Sequence, residues 1–264
     1  MKAFDFYYGN KNLSDFGFII CNFGDKGLDS VSDGCQISFN TVPVLGGAKH
    51  ELTSAQYEDC LETTIQICKH SCTGGIKEIT ATEHRQITRW LNRKKFLKFK
   101  PLSEEYIDLY FEASFNISRI ELDGRLFGFE LEVVTNRPFA LKEPRIINIK
   151  NLVKDGEHSI NDTSHEEGYI YPHTEITVTQ SGNLKIHNAI ENRDTYIANC
   201  IAGEVITMDY PVIQSSISSH NIQNDFNWNF FRVANTFDNS RNDLTISLPC
   251  SIKVEYSPIV KVGL

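Results

Sequence analysis

The chain has 264 residues, 41% of them hydrophobic and 23% charged, and a net charge of −8. That length holds one large or two ordinary domains, and that balance is globular rather than disordered. The acidic excess excludes an ordinary nucleic-acid binder, which carries a basic footprint, and no run approaches the ~20 apolar residues that span a bilayer.

Near the start, Phe4, Asp5 and Phe6 alternate aromatic and acid, so no secretory signal is read and synthesis in a cytoplasm is expected. The seven cysteines are odd in number and unevenly spread, which favours free thiols over a disulfide framework. Cys68-Lys69-His70-Ser71-Cys72 has metal-ligand residue types, with His84 the nearest further candidate. A structural zinc site wants a second ligand pair at similar spacing, so buried thiols are the simpler reading and no metal or cofactor is expected.

In chain order, Phe4, Phe6 and Tyr8 read as an extended segment ending at Gly9-Asn10. A second run over 16–23 ends at Gly24, and Ile37, Phe39 and Thr41 alternate toward Pro43. Residues 45–48 read as a loop. Two helices are then expected. Thr53-Ser54-Ala55-Gln56 has the form of a capping box, and Tyr57, Cys60, Leu61, Thr64, Ile65 and Cys68 follow helical spacing to about residue 69. Thr80-Ala81-Thr82-Glu83 is a second box, opening a helix to about residue 93 with Ile87, Trp90 and Leu91 on its apolar side.

Residues 85–100 hold seven cations and no acid: Arg85, Arg89, Arg93, Lys94, Lys95, Lys98 and Lys100. In an acidic protein this local reversal is either half of a subunit contact or a solvated helix face.

The clearest strand runs over 107–117, where Ile107, Leu109, Phe111, Ala113, Phe115 and Ile117 alternate with polar residues. Its partner is expected over 126–134, joined by a type I′ turn at Asp123-Gly124. An unbroken register from that turn sets the two apolar sets on opposite faces. One extra residue near Ser118-Arg119 would bring Ile117 against Phe129 and Phe115 against Leu131, so a bulge is predicted there. After Asn136-Arg137-Pro138 no helix is read. Short strands recur at 175–180, 183–188, 196–201, 205–208 and 211–216. A final alternation over 244–256 contains Pro249, which requires an edge, a bend or a break.

No phosphate loop, nucleophile elbow or His-Glu-x-x-His pair is present. Asn227-Trp228-Asn229 places an aromatic face between amides, as a weak sugar contact would; packing of Trp228 is the simpler alternative.

The order of these features resembles the distal tail protein (Dit) family of siphophages and prophages. Four stretches carry the likeness. Arg85-Gln86-Ile87-Thr88-Arg89-Trp90-Leu91 is similar to an "R-x-I-x-x-W-L" pattern before a lysine-bearing strand. The hairpin then ends in Val133-Val134-Thr135-Asn136-Arg137-Pro138-Phe139-Ala140. Tyr171-Pro172-His173-Thr174-Glu175-Ile176-Thr177-Val178 and Gly203-Glu204-Val205-Ile206-Thr207-Met208-Asp209 resemble strands of the family's second domain. The galectin sugar-binding signature is absent, so sugar recognition is not implied.

The resemblance implies a mainly β chain in two parts. Residues 1–141 would form an α+β ring-forming domain with two helices, and residues 142–264 a galectin-like or jelly-roll β-sandwich. It also implies a non-enzymatic hub at the phage tail tip. The hub would be a homo-oligomer, a hexameric ring, joining the tail tube to tail-tip and receptor-binding proteins, with no specific nucleic-acid or membrane partner. The rivals are a carbohydrate-binding β-sandwich module and another tail tube or adaptor subunit.

Overall fold

A computed structural model describes residues 3–23, 34–69, 77–236 and 238–263. It divides into two compact units, Met1–Leu141 with Val260–Leu264, and Lys142–Ile259. The chain is mainly β.

In the first unit the main sheet runs, in spatial order, Lys11–Asn12, Phe6–Tyr8, Leu97–Pro101, Leu109–Leu122, Arg125–Thr135, Glu62–Lys69 and Phe18–Cys21. The alternation at 109–117 does what period two demands. Leu109, Phe111, Ala113 and Phe115 are buried, whereas Tyr110, Glu112 and Ser114 are half-buried and Asn116 exposed. Ile107 falls outside the strand, at the end of a short 3₁₀ turn, and is exposed. Phe129, Leu131 and Val133 from the partner strand join the same core, and the helix Ala81–Leu91 covers it with Ile87, Trp90 and Leu91. Trp90 anchors that contact. Its ring stacks on Phe6 at 5.7 Å and on Phe16 at 4.6 Å, and its Nε1 donates to the Tyr8 carbonyl at 3.2 Å.

The helix starts where its capping box places it. The Glu83 amide donates to the Thr80 hydroxyl at 3.3 Å, and the Thr80 amide donates to the Glu83 carboxylate at 2.9 Å. That carboxylate also takes a hydrogen bond from Lys69. The lysine, with the cap donors, outweighs burial and holds the Glu83 carboxyl down at about 2.

The other predicted helix is wrong. Residues 53–69 instead form most of the strand His50–Tyr57 and all of the strand Glu62–Lys69. Thr63, Thr64, Ile65 and Ile67 are β-branched and suited to a pleated surface. Glu62–Lys69 has partners on both sides, Arg125–Thr135 and Phe18–Cys21. Those long-range ladders outweigh a local capping signature. The apparent helical stripe mixed Tyr57, the last residue of the first strand, and Cys60 and Leu61 of the link with the second strand.

The hairpin turn has the left-handed backbone that type I′ needs, at Asp123 (φ 50°) and Gly124 (φ 76°). The register correction exists, but not where the pattern placed it. Ser118 pairs Glu130 and Arg119 pairs Phe129 without a break. The shift falls between Ile120 and Glu121, leaving Phe127 as the extra residue on the opposite strand. Ile117 therefore faces Leu131 and Phe115 faces Val133. Gly128 explains the site. A Cβ there would lie 2.5 Å from the Phe23 ring and 2.7 Å from the Ile67 carbonyl oxygen, so the strand is crowded beside the irregularity.

Tyr106 donates its hydroxyl to the Gly263 carbonyl at 3.0 Å, and Val260 lies in the first core, so the last described segment belongs to the first unit.

The second unit is a β-sandwich. One sheet holds Arg145–Asn151, Cys250–Tyr256, His173–Val178, Val205–Asp209 and Val212–Ser215; the other holds Gly156–Asn161, Arg241–Ile246, Gly182–Asn188 and Arg193–Cys200. Ile176, Ile206, Ile252 and Val254 from the first meet Leu184, Ile186, Ile197 and Ile246 from the second in one core. The final alternation breaks at Ser247 to Pro249 into two strands on opposite sheets. A four-residue helix, Ile222–Asp225, appears where none was read.

Gly128→Ala should lower unfolding stability by about 1–3 kcal/mol, because the Ile67 carbonyl is backbone and cannot step aside. Urea denaturation with an unchanged m-value would register it.

Candidate assembly surfaces

The most exposed element of the first unit is a two-stranded hairpin, Ile37–Pro43 paired with His50–Tyr57, which forms a sheet of its own. Its register shifts between Asn40 and Thr41. With that shift, Ile37, Phe39 and Thr41 share one face with Tyr57, Ala55 and Leu52, while Ser38, Asn40, Gln56 and Ser54 line the other. Most of the apolar face is bare: Phe39 is 62% exposed and Leu52 57%, while Tyr57 packs edge-on against Phe139 at 6.5 Å. A lone two-stranded hairpin is marginal in water, and this one carries a face fit for a core.

The basic residues divide by structure. Arg85 and Arg89 lie one turn apart on the exposed side of the helix, and Arg93, Lys94 and Lys95 follow in the exposed link beyond it. Arg93 turns back, its Nε donating to the Trp90 carbonyl at 3.2 Å. Lys98 lies 4.7 Å over the Tyr110 ring, and Lys100 donates to the Ile107 carbonyl at 2.6 Å. Among the described residues, Arg85, Arg89, Lys94 and Lys95 have no carboxylate at ion-pair distance.

The opposite sign occupies the solvent side of the sheet. Glu130 and Glu132 point away from the core, beside Glu62 at the start of the neighbouring strand. Gln66 donates to Glu130 at 3.0 Å and Asn116 to Glu132 at 2.9 Å, so amides rather than cations hold these carboxylates.

In the second unit, Trp228 is 56% exposed with φ 57°, its ring 5.7 Å from Phe226 and 6.4 Å from Phe230. The Asn227 amide is spent within the fold. Its Oδ1 accepts from the Tyr196 and Asn229 amides at 3.2 and 3.1 Å, and its Nδ2 donates to the Asp194 carbonyl at 2.9 Å.

A buried polar cluster surrounds His220. Nδ1 meets Glu204 Oε1 at 2.5 Å, and Nε2 meets the Ala198 carbonyl at 3.1 Å and Asp225 Oδ2 at 3.2 Å. Glu204, fully buried, also accepts from the Ser215 hydroxyl at 2.5 Å and the Ile201 amide at 2.9 Å. Both ring nitrogens thus lie at hydrogen-bond distance from protein oxygens. Burial raises the Glu204 carboxyl, but the hydrogen bonds from Ser215, His220 and the Ile201 amide, with the histidine's charge, outweigh it and hold the group below the usual carboxylate range. No nucleophile is activated: Ser215 gives its proton to the carboxylate rather than to the ring.

His84 packs against the Phe129 ring at 5.5 Å. Cys68 is buried; His70 and Cys72, the rest of the suspected metal motif, lie outside the described residues. Among the described residues no group of three or more His, Cys, Asp or Glu is arranged to hold a metal ion, and no helix is long and apolar enough to cross a membrane.

Residues 1–137 match the family model described as "Phage tail protein N-terminal domain", and residues 139–256 match "Phage tail C-terminal domain". The chain belongs to this family of phage tail proteins. The crystal structure of the Dit protein of phage SPP1, described as a paradigm of the hub adsorption apparatus in phages infecting Gram-positive bacteria, has a similar fold. It superposes with a TM-score of 0.61 at 12% identity over 97% of this chain and 99% of that one. No curated protein matches. The tail protein is thus a structural component of the phage tail with a Dit-like fold.

The basic residues of the tail protein are visible in its sequence, whereas what surrounds them is not. The capping-box form of Thr53 to Gln56 points to a helix start, which hides the hairpin face. Glu130 and Glu132 were legible as the polar positions of their strand, but not as a surface. His220 and Glu204 lie sixteen residues apart in unremarkable contexts and give no local signal.

His220→Ala should destabilise the tail protein by about 3–5 kcal/mol, since it strips a buried carboxylate of its charged partner. Because the folded Glu204 value lies below the unfolded one, its stabilisation is complete above about pH 4.3 and is lost as pH falls through the folded value. Thermal unfolding followed from pH 6 downward should therefore show a steeper loss for wild type than for Glu204→Gln.

Proposed function

We propose that the tail protein is a hub at the tail tip, built as a ring of identical subunits, hexameric as in the family it resembles. The first unit makes the ring contacts, and the second presents surface to tail-tip or receptor-binding proteins. One observation carries this reading: the hairpin Ile37–Pro43 with His50–Tyr57 leaves Ile37, Phe39 and Leu52 of its apolar face in water. A chain that functions alone gains nothing from that exposure. A chain that closes against copies of itself buries it, at about 25 cal/mol for each Å² removed from water.

The acidic balance of the chain suits a conduit through which DNA passes without sticking, since like charge opposes phosphate contact. Assembly takes place in the host cytoplasm before the tail is complete. A carbohydrate-binding module is the less supported reading, because the Asn227 amide that would meet a sugar is already committed to the Tyr196, Asn229 and Asp194 backbone.

Sedimentation velocity combined with negative-stain microscopy should show a closed ring of defined subunit number. Phe39→Asp with Leu52→Asp should reduce it to monomer. Both positions are exposed, so thermal unfolding should move little. A wild-type protein that stays monomeric at every concentration, or rings that survive both substitutions, would remove the basis for this function.

A further inference from the structure

Among the described residues, Arg85, Arg89, Lys94 and Lys95 have no carboxylate at ion-pair distance. Arg85 and Arg89, one helical turn apart, repel each other, and Lys94 and Lys95 extend the same sign past the helix end. Elsewhere in this unit facing charges do pair: Arg137 reaches Glu112 at 3.3 Å, and Lys69 meets Glu83.

The complement of this basic strip lies on the same unit. Glu62, Glu130 and Glu132 gather on the solvent side of the sheet with no cation at ion-pair distance among the described residues. Gln66 and Asn116 fix two of these carboxylates by neutral hydrogen bonds, which orient the charge without cancelling it. Two different patches of opposite sign on one body define a head-to-tail contact. Repeated copies of such a contact either close into a ring or run on as a filament.

We propose that the strip of Arg85, Arg89, Lys94 and Lys95 docks on the Glu62, Glu130 and Glu132 face of a second copy of this chain. The inference rests on the ring reading above and names its charged contact, separate from the apolar hairpin. Phe96, 45% exposed beside Lys95, gives the strip an apolar centre for that contact. Exposed ion pairs are individually weak and screened by salt, so their part in assembly is ionic-strength dependent and lies mainly in orientation and rate.

The test is charge exchange. Arg89→Glu with Lys95→Glu should raise the protein concentration for half-assembly about tenfold at low salt, and Glu130→Lys with Glu132→Lys should do the same. Neither should change thermal unfolding greatly, as the altered side chains lie at the surface. An equimolar mixture should recover assembly to within about twofold of wild type, because each reversed strip then meets a reversed face. Wild-type assembly should itself weaken about fivefold between about 50 mM and about 500 mM NaCl, and the reversed variants should lose that dependence.

If either variant assembles as wild type does, or the mixture fails to recover, this contact is wrong while the ring reading stands. If wild type never assembles, both fall.

Discussion

Face parity in the strands Leu109–Leu122 and Arg125–Thr135 is the constraint on which the first unit depends. A β-strand sends alternate side chains to opposite sides, so one residue of slip would either turn Phe111 and Phe115 outward or bring Glu130 and Glu132 into the core. The unpaired Phe127 prevents that slip. It sets Phe115 against Val133 and Ile117 against Leu131, and in the same act sends the carboxylates to the solvent side. The core and the acidic surface are thus two results of one register.

Local signals were legible wherever they had no competitor. The box at Thr80 and Glu83, the turn at Asp123 and Gly124 and the alternation before Ile117 depend on neighbours in the chain, and each appears as its residues require. The box at Thr53 and Gln56 had the same form but lost to pairing with distant strands, since Ile65 and Ile67 find Leu131 and Phe129 more than sixty residues away. The bulge shows the same limit at finer scale. Its necessity followed from parity, but its position was decided by the closeness of Phe23 and Ile67 to Gly128, which no local pattern contains.

The functional surfaces divide in the same way. A run of cations is visible as a run. A bare apolar face is visible only once the hairpin's partner strand is known, and a buried histidine clasped by Glu204 and Asp225 only once three segments have met. The His220 cluster and the hairpin also differ in kind. One satisfies each polar group inside the fold, and the other leaves apolar area outside it.

Residues 260–263 rejoin the unit in which the chain opens, with Val260 in its core and the Gly263 carbonyl held by Tyr106. The sandwich is therefore a parenthesis within the first unit, bounded by two junctions instead of one. The bracketed module can therefore be exchanged without interrupting the core that the two flanking segments share.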